Sequence, residues 1–322
     1  MIDSIRAKRI YSDMNRIRSF EERTVRLFEE DKLRGSVHLY IGEEAIAATI
    51  CSHLTDDDYI TGTHRGHGHC LAKGARMDKA MAELMGRSTG YCKGRGGSMH
   101  IADFAGGNLG ANAIVGGGIP IAVGAALSIK LQKQDRVSVA FFGDGASNAG
   151  IFHESLNLAA VWKLPIIFVC ENNRFGISVP VEQSTSVEDI SVRAKSYGMP
   201  GKTVDGNDVE AIDEAFREAL QRARNGEGPT LLECRTYRWL GHWVGDPQNY
   251  RSRDEIERWK LKCPIKRYRE VLLQQGFSPE ELDEIEENAR REAEDATQFA
   301  LNSPEPDATR ALDDVFYTGE EV

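Results

Sequence analysis

The segment spanning residues 137–173 constrains the fold more than any other part of this 322-residue chain. Two apolar runs, 137–142 and 165–170, are rich in β-branched and aromatic residues and flank a helical segment. Continuous apolar runs on both sides of a helix are typical of parallel strands that are covered on both faces. Because a right-handed crossover brings the carboxyl ends of such strands to one edge, we predict an α/β fold with a mostly parallel sheet and helices on both faces.

A polar residue follows each apolar run at the point where the strand ends. Asp144 lies in a Gly-Asp-Gly sequence after the first run, and Asn173 ends a Glu-Asn-Asn sequence after the second. Ligands of parallel sheets bind outside these strand ends, so the carboxylate and the amide are expected to meet. With a nearby backbone carbonyl they offer the oxygen ligands that Mg²⁺ takes alongside phosphate and water. Residues 145–146 lead into a predicted helix whose N–H groups favour an anion, and the sequence therefore predicts a magnesium diphosphate site.

Several further sequence blocks support this interpretation. They are GRGGSMH at 94–100, IVGGGIPIAVGAA at 114–126, WKLPIIFVCENNRFG at 162–176 and TYRWLGHWVGDP at 236–247. Together they resemble the alpha subunit of the thiamine diphosphate-dependent first component of 2-oxo acid and acetoin dehydrogenase complexes. The resemblance runs from about residue 16 to about residue 300. Within that family, the sequences GTHRGHGHCLAKG at 62–74 and GSMHIADF at 97–104 are most similar to acetoin dehydrogenase alpha subunits.

The resemblance implies an enzyme that acts on an aldehyde or oxo group with a lipoyl disulfide as acceptor. Acetoin would be cleaved, or pyruvate decarboxylated, to a hydroxyethyl-thiamine intermediate that is transferred oxidatively to a lipoyl-bearing dihydrolipoyl acyltransferase. The implied cofactors are thiamine diphosphate and Mg²⁺, with Asp144, Asn173 and the Phe175 carbonyl as metal ligands. The implied cofactor-binding residues are His64, Arg65, Val115, Gly143, Asp144, Gly145, Ala146, Asn173 and His242.

The predicted active-site histidines differ in part from those of pyruvate-specific relatives. His64 replaces a tyrosine and precedes Arg65, whose planar guanidinium suits phosphate oxygens. One histidine of a pair is leucine here, but His242 is retained and is expected to contact the diphosphate. His38 matches an active-site histidine, so His38 and His242 are the predicted catalytic residues. A structural role for His38, a solvent-exposed His242 and simple packing of Val115 remain open alternatives.

Other polar residues of these blocks are given no chemical role. His67 and His69 are expected to shape their loop, and Lys163 and Glu171 to be solvated or structural. His100 has no assigned role. The six cysteines are scattered without a CxxC pair and are expected to be reduced, which favours a cytoplasmic location.

The chain shows no repeat or linker that would divide it, and we predict a single domain over residues 1–322. A charged helix over 12–34 forms a predicted N-terminal arm of about residues 1–35, and a helical tail covers about 254–322. The glycine-rich segment 60–118 is expected to consist largely of loops. Six apolar residues of the tail share one helical face, which suits internal packing or a subunit contact: Leu282, Ile285, Ala289, Ala293, Ala296 and Ala300.

Thiamine chemistry also needs a carboxylate against the aminopyrimidine ring, and no candidate segment for it is found in this sequence. The resemblance places that glutamate on a beta subunit and implies an alpha-two beta-two heterotetramer with the active site at the interface. The net charge of −10 argues against nucleic acid or an anionic membrane surface as a partner. The apolar runs are too short to span a bilayer, and the N-terminus lacks the apolar stretch of a signal peptide.

Other functions fit the same motifs. The chain could be a pyruvate or branched-chain 2-oxo acid dehydrogenase alpha subunit, or half of a non-oxidative thiamine-dependent lyase. The regulatory serines of mitochondrial pyruvate relatives fall at Trp243 and Asn249, so control by phosphorylation at those positions is expected to be absent. A regulatory subunit that binds no cofactor is disfavoured by the intact Asp144, Asn173, Arg65 and His242.

Overall fold

A parallel β-sheet forms the centre of the computed structural model, which describes residues 2–33, 35–313 and 315. The strands are β1 (Tyr59–Thr61), β2 (Ser138–Gly143), β3 (Ile166–Asn172), β4 (Phe175–Gly176), β5 (Val179–Pro180), β6 (Gly201–Asp205) and β7 (Thr230–Arg235). Five of them form one parallel sheet in the order β1-β2-β3-β7-β6, and β4 and β5 form a small antiparallel hairpin. The predicted α/β fold is confirmed, and the two strands predicted from residues 137–173 are neighbours.

Helices cover the sheet and extend beyond it. They are α1 (Ser4–Glu29), α2 (Glu44–Cys51), α3 (His67–Ala72), α4 (Met77–Leu84), α5 (Gly118–Leu131), α6 (Gly150–Val161), α7 (Val181–Ser184), α8 (Val209–Arg224), α9 (Arg253–Lys260), α10 (Pro264–Gln274) and α11 (Pro279–Asn302). Short 3-10 helices lie at Gly97–Met99, Phe104–Gly106, Asp144–Asn148, Ile190–Tyr197 and Ala308–Arg310. The search of the described residues finds no helix long and apolar enough to cross a membrane.

The two faces of the sheet belong to two separate hydrophobic clusters. Side chains of a strand alternate between faces, so Phe141 packs with the cluster that contains α1, α2 and α8. The next residue, Phe142, packs with the cluster that contains α5 and α6. Burial on both faces is the reason that β2 and β3 read as continuous apolar runs.

Two predicted element boundaries differ from the structure. Helix α1 begins at Ser4 rather than near residue 12, because the Asp3 side chain accepts hydrogen bonds from the backbone N–H groups of Ile5 and Arg6 and caps it. The segment 60–118 contains α3 and α4 in addition to its loops. Both helices are short, with six and eight residues, and each lies beside glycine-containing loops.

The C-terminal helix packs within the chain. Ser278 and Glu281 form the capping box that begins α11, and α11 packs against α1 and α4. The predicted face is buried at Leu282, Ala289, Ala293, Ala296 and Ala300, and Ile285 is half-buried against the same core. This face is therefore internal packing surface. Residues 316–322 of the predicted tail lie outside the described residues.

Candidate active site

A cavity of about 270 Å³ opens at the carboxyl ends of β2 and β3. Apolar side chains line much of it, including Ile114, Ile119 and Phe142. All the residues predicted to bind the cofactor or the metal line this single cavity: His64, Arg65, Val115, Gly143, Asp144, Gly145, Ala146, Asn173, Phe175 and His242. The structure therefore brings together residues that are up to 178 positions apart in the sequence (His64 to His242).

Asp144 begins a 3-10 turn rather than an α-helix. The turn spans Asp144–Asn148, and α6 starts only at Gly150 because Ala149 has an extended backbone, with φ −76° and ψ 143°. The Ser147 hydroxyl donates to the Asp144 carbonyl at 2.7 Å and closes the turn. Residues 145–146 therefore lead into α6 through this turn rather than forming its first residues, and both line the cavity.

The carboxylate of Asp144 is buried at the base of this turn. Its Oδ2 atom has no hydrogen-bond partner within the described part of the chain. Burial raises the pKa of Asp144 to about 6. A buried acceptor without a partner is costly, by about 1–3 kcal/mol. A divalent cation fits this position because it would supply the missing partner.

Asn173 is held in place by a residue that the sequence analysis missed. Its Nδ2 donates to the two carboxylate oxygens of Glu43 at 3.1 and 3.3 Å, whereas its Oδ1 accepts only a long bond of 3.4 Å from the Phe175 N–H. Burial and the nearby charge of Glu171 raise the pKa of Glu43 to about 8. Glu43 lies between a turn and α2, and its spacing in the sequence gives no signal of this contact.

Arg238 is a second cavity residue that the sequence analysis missed. It is almost fully buried and donates to the carbonyl groups of Phe175 at 3.4 Å and Ile177 at 2.7 Å, and to the Tyr250 hydroxyl at 2.9 Å. The predicted third metal ligand, the Phe175 carbonyl, keeps a second lone pair for a cation. A signal existed in the sequence, because Arg238 lies three residues beyond the carboxyl end of β7, which neighbours β3.

Arg65 lies buried beside His242. Its Nη1 donates to the Leu39 carbonyl at 2.9 Å, and its Nη2 donates to the His242 carbonyl at 2.5 Å. Burial and the charge of Arg238 lower the pKa of Arg65 to about 9, so the Arg65 guanidinium is positive at neutral pH. Two buried cations at one cavity favour an anion.

Three histidine rings meet beside Arg65. The ring centroid of His38 lies 4.9 Å from that of His64 and 4.8 Å from that of His242. Burial, and then the charge of Arg65, lower the pKa values of these histidines to about 3, 2 and 4 respectively. All three are therefore neutral at pH 7. His38 does not line the cavity itself but contacts two residues that do.

His67 and His69 belong to α3 and are buried. His67 lies 3.0 Å from the Glu21 carboxylate and 2.9 Å from the Ser98 hydroxyl, and that hydroxyl accepts the backbone N–H of His38. His69 lies 2.8 Å from Glu171. These contacts anchor α3 rather than a loop.

Glu171 and Lys163, which were both expected to be solvated or structural, have different environments in the structure. Glu171 is buried, accepts the Tyr40 hydroxyl and lines the cavity, so its position is structural and not solvated. Lys163, in contrast, is exposed in the turn after α6.

The sequence matches the Dehydrogenase E1 component family over residues 12–309. The chain belongs to this family. It is 50% identical to the alpha subunit of acetoin:2,6-dichlorophenolindophenol oxidoreductase from Bacillus subtilis, over 97% of this chain and 93% of that protein. It is 46% identical to the protein of the same name from Cupriavidus necator, over 95% and 93%. It is 42% identical to the alpha subunit of the pyruvate dehydrogenase E1 component from Porphyra purpurea, over 92% and 89%.

Membership of the dehydrogenase E1 family confirms the resemblance that the sequence blocks indicated. The enzyme class is that of a thiamine diphosphate-dependent oxidoreductase. An E1 alpha subunit implies a beta subunit as its partner.

Proposed function

We propose that this chain is the alpha subunit of an acetoin-cleaving dehydrogenase that works with thiamine diphosphate, Mg²⁺ and a beta subunit. The observation that carries the proposal is the single cavity lined by the residues predicted to bind the cofactor, among them Asp144 with an unpartnered carboxylate oxygen. Acetoin is preferred to pyruvate because relatives named for acetoin are 50% and 46% identical, whereas the first relative named for pyruvate is 42% identical.

Three oxygen atoms of this chain would hold Mg²⁺. They are a carboxylate oxygen of Asp144, the amide oxygen of Asn173 and the backbone carbonyl of Phe175. Glu43 fixes the orientation of the Asn173 amide, because it accepts both bonds from Nδ2. Mg²⁺ prefers six oxygen ligands, so this set leaves positions for diphosphate and water.

The cationic side of the cavity would hold the diphosphate. Arg65 and Arg238 supply positive charge, and neutral His64 and His242 can each donate one N–H. When bound, thiamine diphosphate supplies the electron sink for cleavage of a carbon–carbon bond. The chain itself contributes position and electrostatics, and its apolar lining excludes water. His38 would act from behind the cavity lining, because its ring contacts His64 and His242 and its buried Nδ1 lacks a partner among the described residues.

The rim of the cavity suits a protein partner. Ile114, Val115 and Ile177 line the cavity, yet their exposed fractions are 73%, 56% and 60%. Exposed apolar groups that surround a site are typical of an interface. We propose that a beta subunit covers this rim in an alpha-two beta-two heterotetramer and supplies the carboxylate for the aminopyrimidine ring.

The proposed electron acceptor is the lipoyl group of a dihydrolipoyl acyltransferase. A branched-chain or pyruvate substrate, and a non-oxidative lyase, remain the competing functions. All six cysteines are free, and five of them are buried, which supports a reducing, cytoplasmic location.

The decisive experiment uses this chain co-expressed with its beta subunit. Reduction of dichlorophenolindophenol is followed with Mg²⁺ and thiamine diphosphate while acetoin, pyruvate and branched 2-oxo acids are compared. A higher kcat/KM for acetoin supports the proposal, and a higher value for a 2-oxo acid overturns the substrate. Acetyl transfer to a purified lipoyl domain then tests the acceptor. Turnover of none of these substrates would favour the non-oxidative or regulatory functions.

A further inference from the structure

Three histidine side chains from distant segments form a cluster with metal-ligand spacing. His38 lies between α1 and α2, His64 precedes α3, and His242 lies in the loop that follows β7. One ring nitrogen from each lies within 4.8 Å of the other two. The predicted Mg²⁺ ligands are oxygen atoms, so this nitrogen cluster is chemically distinct from them.

Two ring nitrogens of this cluster have no hydrogen-bond partner and are available for a ligand. His38 Nδ1 and His64 Nε2 are buried and lack hydrogen-bond partners within the described ranges. His38 is only 6% exposed. Buried nitrogens without a partner are rare, and each calls for a ligand, water or ion. A histidine must also be neutral to bind a metal ion, and the lowered pKa values meet that condition at pH 7.

The spacing is compatible with a small contraction around an ion. Zn–N bonds of about 2.0–2.1 Å require tetrahedral nitrogens to be about 3.4 Å apart. The cluster therefore has to close by about 1.4 Å at most around a bound ion. Three histidines with one open position form a ligand set of the kind found in zinc sites.

The charges around the cluster act in opposite directions. The Arg65 guanidinium donates to His242 Nδ1 at 3.3 Å, and the charges of Arg65 and Arg238 both disfavour a cation at this cluster. Asp246 accepts the backbone N–H of His242 at 2.6 Å, and the pKa of its carboxyl is lowered by this and other hydrogen bonds, although burial opposes the shift. Asp246 is therefore ionised at neutral pH and partly offsets Arg65.

We propose that His38, His64 and His242 bind a transition-metal ion of the Zn²⁺, Co²⁺ or Ni²⁺ class, and that this ion inhibits the enzyme by excluding the diphosphate. Imidazole nitrogen suits these ions, whereas Mg²⁺ prefers oxygen. The binding site stands on the histidine geometry alone. The inhibition rests on the proposed function, because the same His64 and His242 are assigned to the diphosphate there.

Cobalt titration tests the binding site. The alpha–beta complex without thiamine diphosphate is titrated with Co²⁺ in excess Mg²⁺, and visible absorption is recorded. We expect one equivalent per alpha chain with the intense bands of four-coordinate cobalt, and displacement by Zn²⁺. His38→Asn, His64→Asn and His242→Asn should each weaken binding at least 10-fold. The exposed His100→Asn is the matched control, and Asp144→Asn should leave the cobalt spectrum unchanged because it alters only the oxygen ligands.

A second test uses the unmodified protein, so its result does not depend on whether the histidine variants fold. Diethylpyrocarbonate labels accessible imidazole groups, and mass spectrometry maps the labels. Zn²⁺ should protect His64 and His242, which are partly exposed, and leave the labelling of the exposed His100 unchanged, whereas the buried His38 is tested by its variant alone. Equal protection of His100, or cobalt with only the weak spectrum of a six-coordinate ion, would overturn the site.

Competition separates this inference from the proposed function. Saturating Mg²⁺ and thiamine diphosphate should suppress cobalt binding at least 10-fold. Stoichiometric cobalt binding that is indifferent to bound cofactor would overturn the inhibition and leave the proposed function intact. Failure of the cofactor to bind at all would overturn the proposed function, whereas the cobalt and labelling results would still decide the metal site.

Discussion

At the scale of single residues, the site is defined by buried groups that lack either a hydrogen-bond partner or an ion-pair partner among the described residues. Asp144 keeps one unpaired carboxylate oxygen, and Arg65 and Arg238 are two buried cations at the same cavity. Burying each of these groups without a compensating ligand lowers the free energy of unfolding. A magnesium diphosphate offers the complementary charges, which is why we assign them to cofactor binding rather than to stability.

Asp144→Asn is expected to weaken Mg²⁺-dependent thiamine diphosphate binding at least 100-fold. The same change should leave the free energy of unfolding of the cofactor-free chain unchanged or raise it by about 1 kcal/mol, because it removes a buried charge. Isothermal titration and urea unfolding measure the two effects. The exposed Asp135→Asn is the control. Wild-type cofactor affinity in Asp144→Asn would refute the metal assignment.

The buried His64 is expected to make the free energy of unfolding depend on pH. Its pKa is lowered by burial from 6.5 to about 2, so the folded chain binds fewer protons than the unfolded chain between those values. The contribution of His64 to stability is complete above pH 6.5 and falls as the pH falls, by about 1.4 kcal/mol per pH unit.

In His64→Asn, the slope of unfolding free energy against pH should decrease by about that amount between pH 6 and pH 4.5. Urea unfolding at several pH values measures the slope, with His100→Asn as the control. An unchanged slope in His64→Asn would contradict the burial-based shift.

At the scale of elements, two glycines within helices have different surroundings. Gly68 in α3 lies against the Tyr40 ring, and a Cβ atom there would come within 2.2 Å of a ring carbon. Tyr40 is fully buried and bonded to Glu171, so its ring cannot move aside. Gly124 in α5 has open space around a Cβ atom and is exposed.

Substitution by alanine is expected to change the free energy of unfolding in opposite directions at these two glycines. Gly68→Ala should lower the free energy of unfolding by about 1–3 kcal/mol through overpacking. Gly124→Ala should raise it by about 1 kcal/mol, because alanine is the better helix former. Urea unfolding of both variants makes each the control for the other. Equal effects would show that the close approach of α3 to Tyr40 is incorrect.

At the scale of the whole molecule, the parallel sheet gathers its strand ends at one edge, and an exposed apolar rim surrounds the resulting cavity. Ile114 is the most exposed apolar residue of that rim. The chain therefore presents its site to a partner rather than enclosing it.

Ile114→Asp is expected to prevent assembly with the beta subunit without unfolding the chain, because the side chain is 73% exposed. Sedimentation velocity of the co-expressed subunits should show separate alpha and beta species in place of the heterotetramer. Leu261 follows α9 and is 85% exposed. The variant Leu261→Asp tests whether a charge at any exposed apolar residue prevents assembly. A heterotetramer in Ile114→Asp would refute the assignment of the rim.

The sequence by itself determined the features that depend on local patterns. Apolar runs identified β2 and β3, the polar residues at their ends identified Asp144 and Asn173, and Ser278 with Glu281 identified the start of α11. These features follow from strand burial, the parallel crossover and helix capping, all of which act over a few residues or one βαβ unit. The family motifs carried the remaining assignments to the same cavity.

The tertiary structure decided the features that depend on contacts between distant segments. Glu43 contacts Asn173 across 130 positions, and Arg238 reaches the Phe175 carbonyl only because β7 lies beside β3. The cluster of His38, His64 and His242 likewise exists only where three loops meet. Burial lowers the pKa values of these three histidines, and burial is a property of the packed chain. No pattern of neighbouring residues encodes burial. The sequence therefore predicted which residues line the cavity, whereas the fold determined the contacts and the burial of those residues.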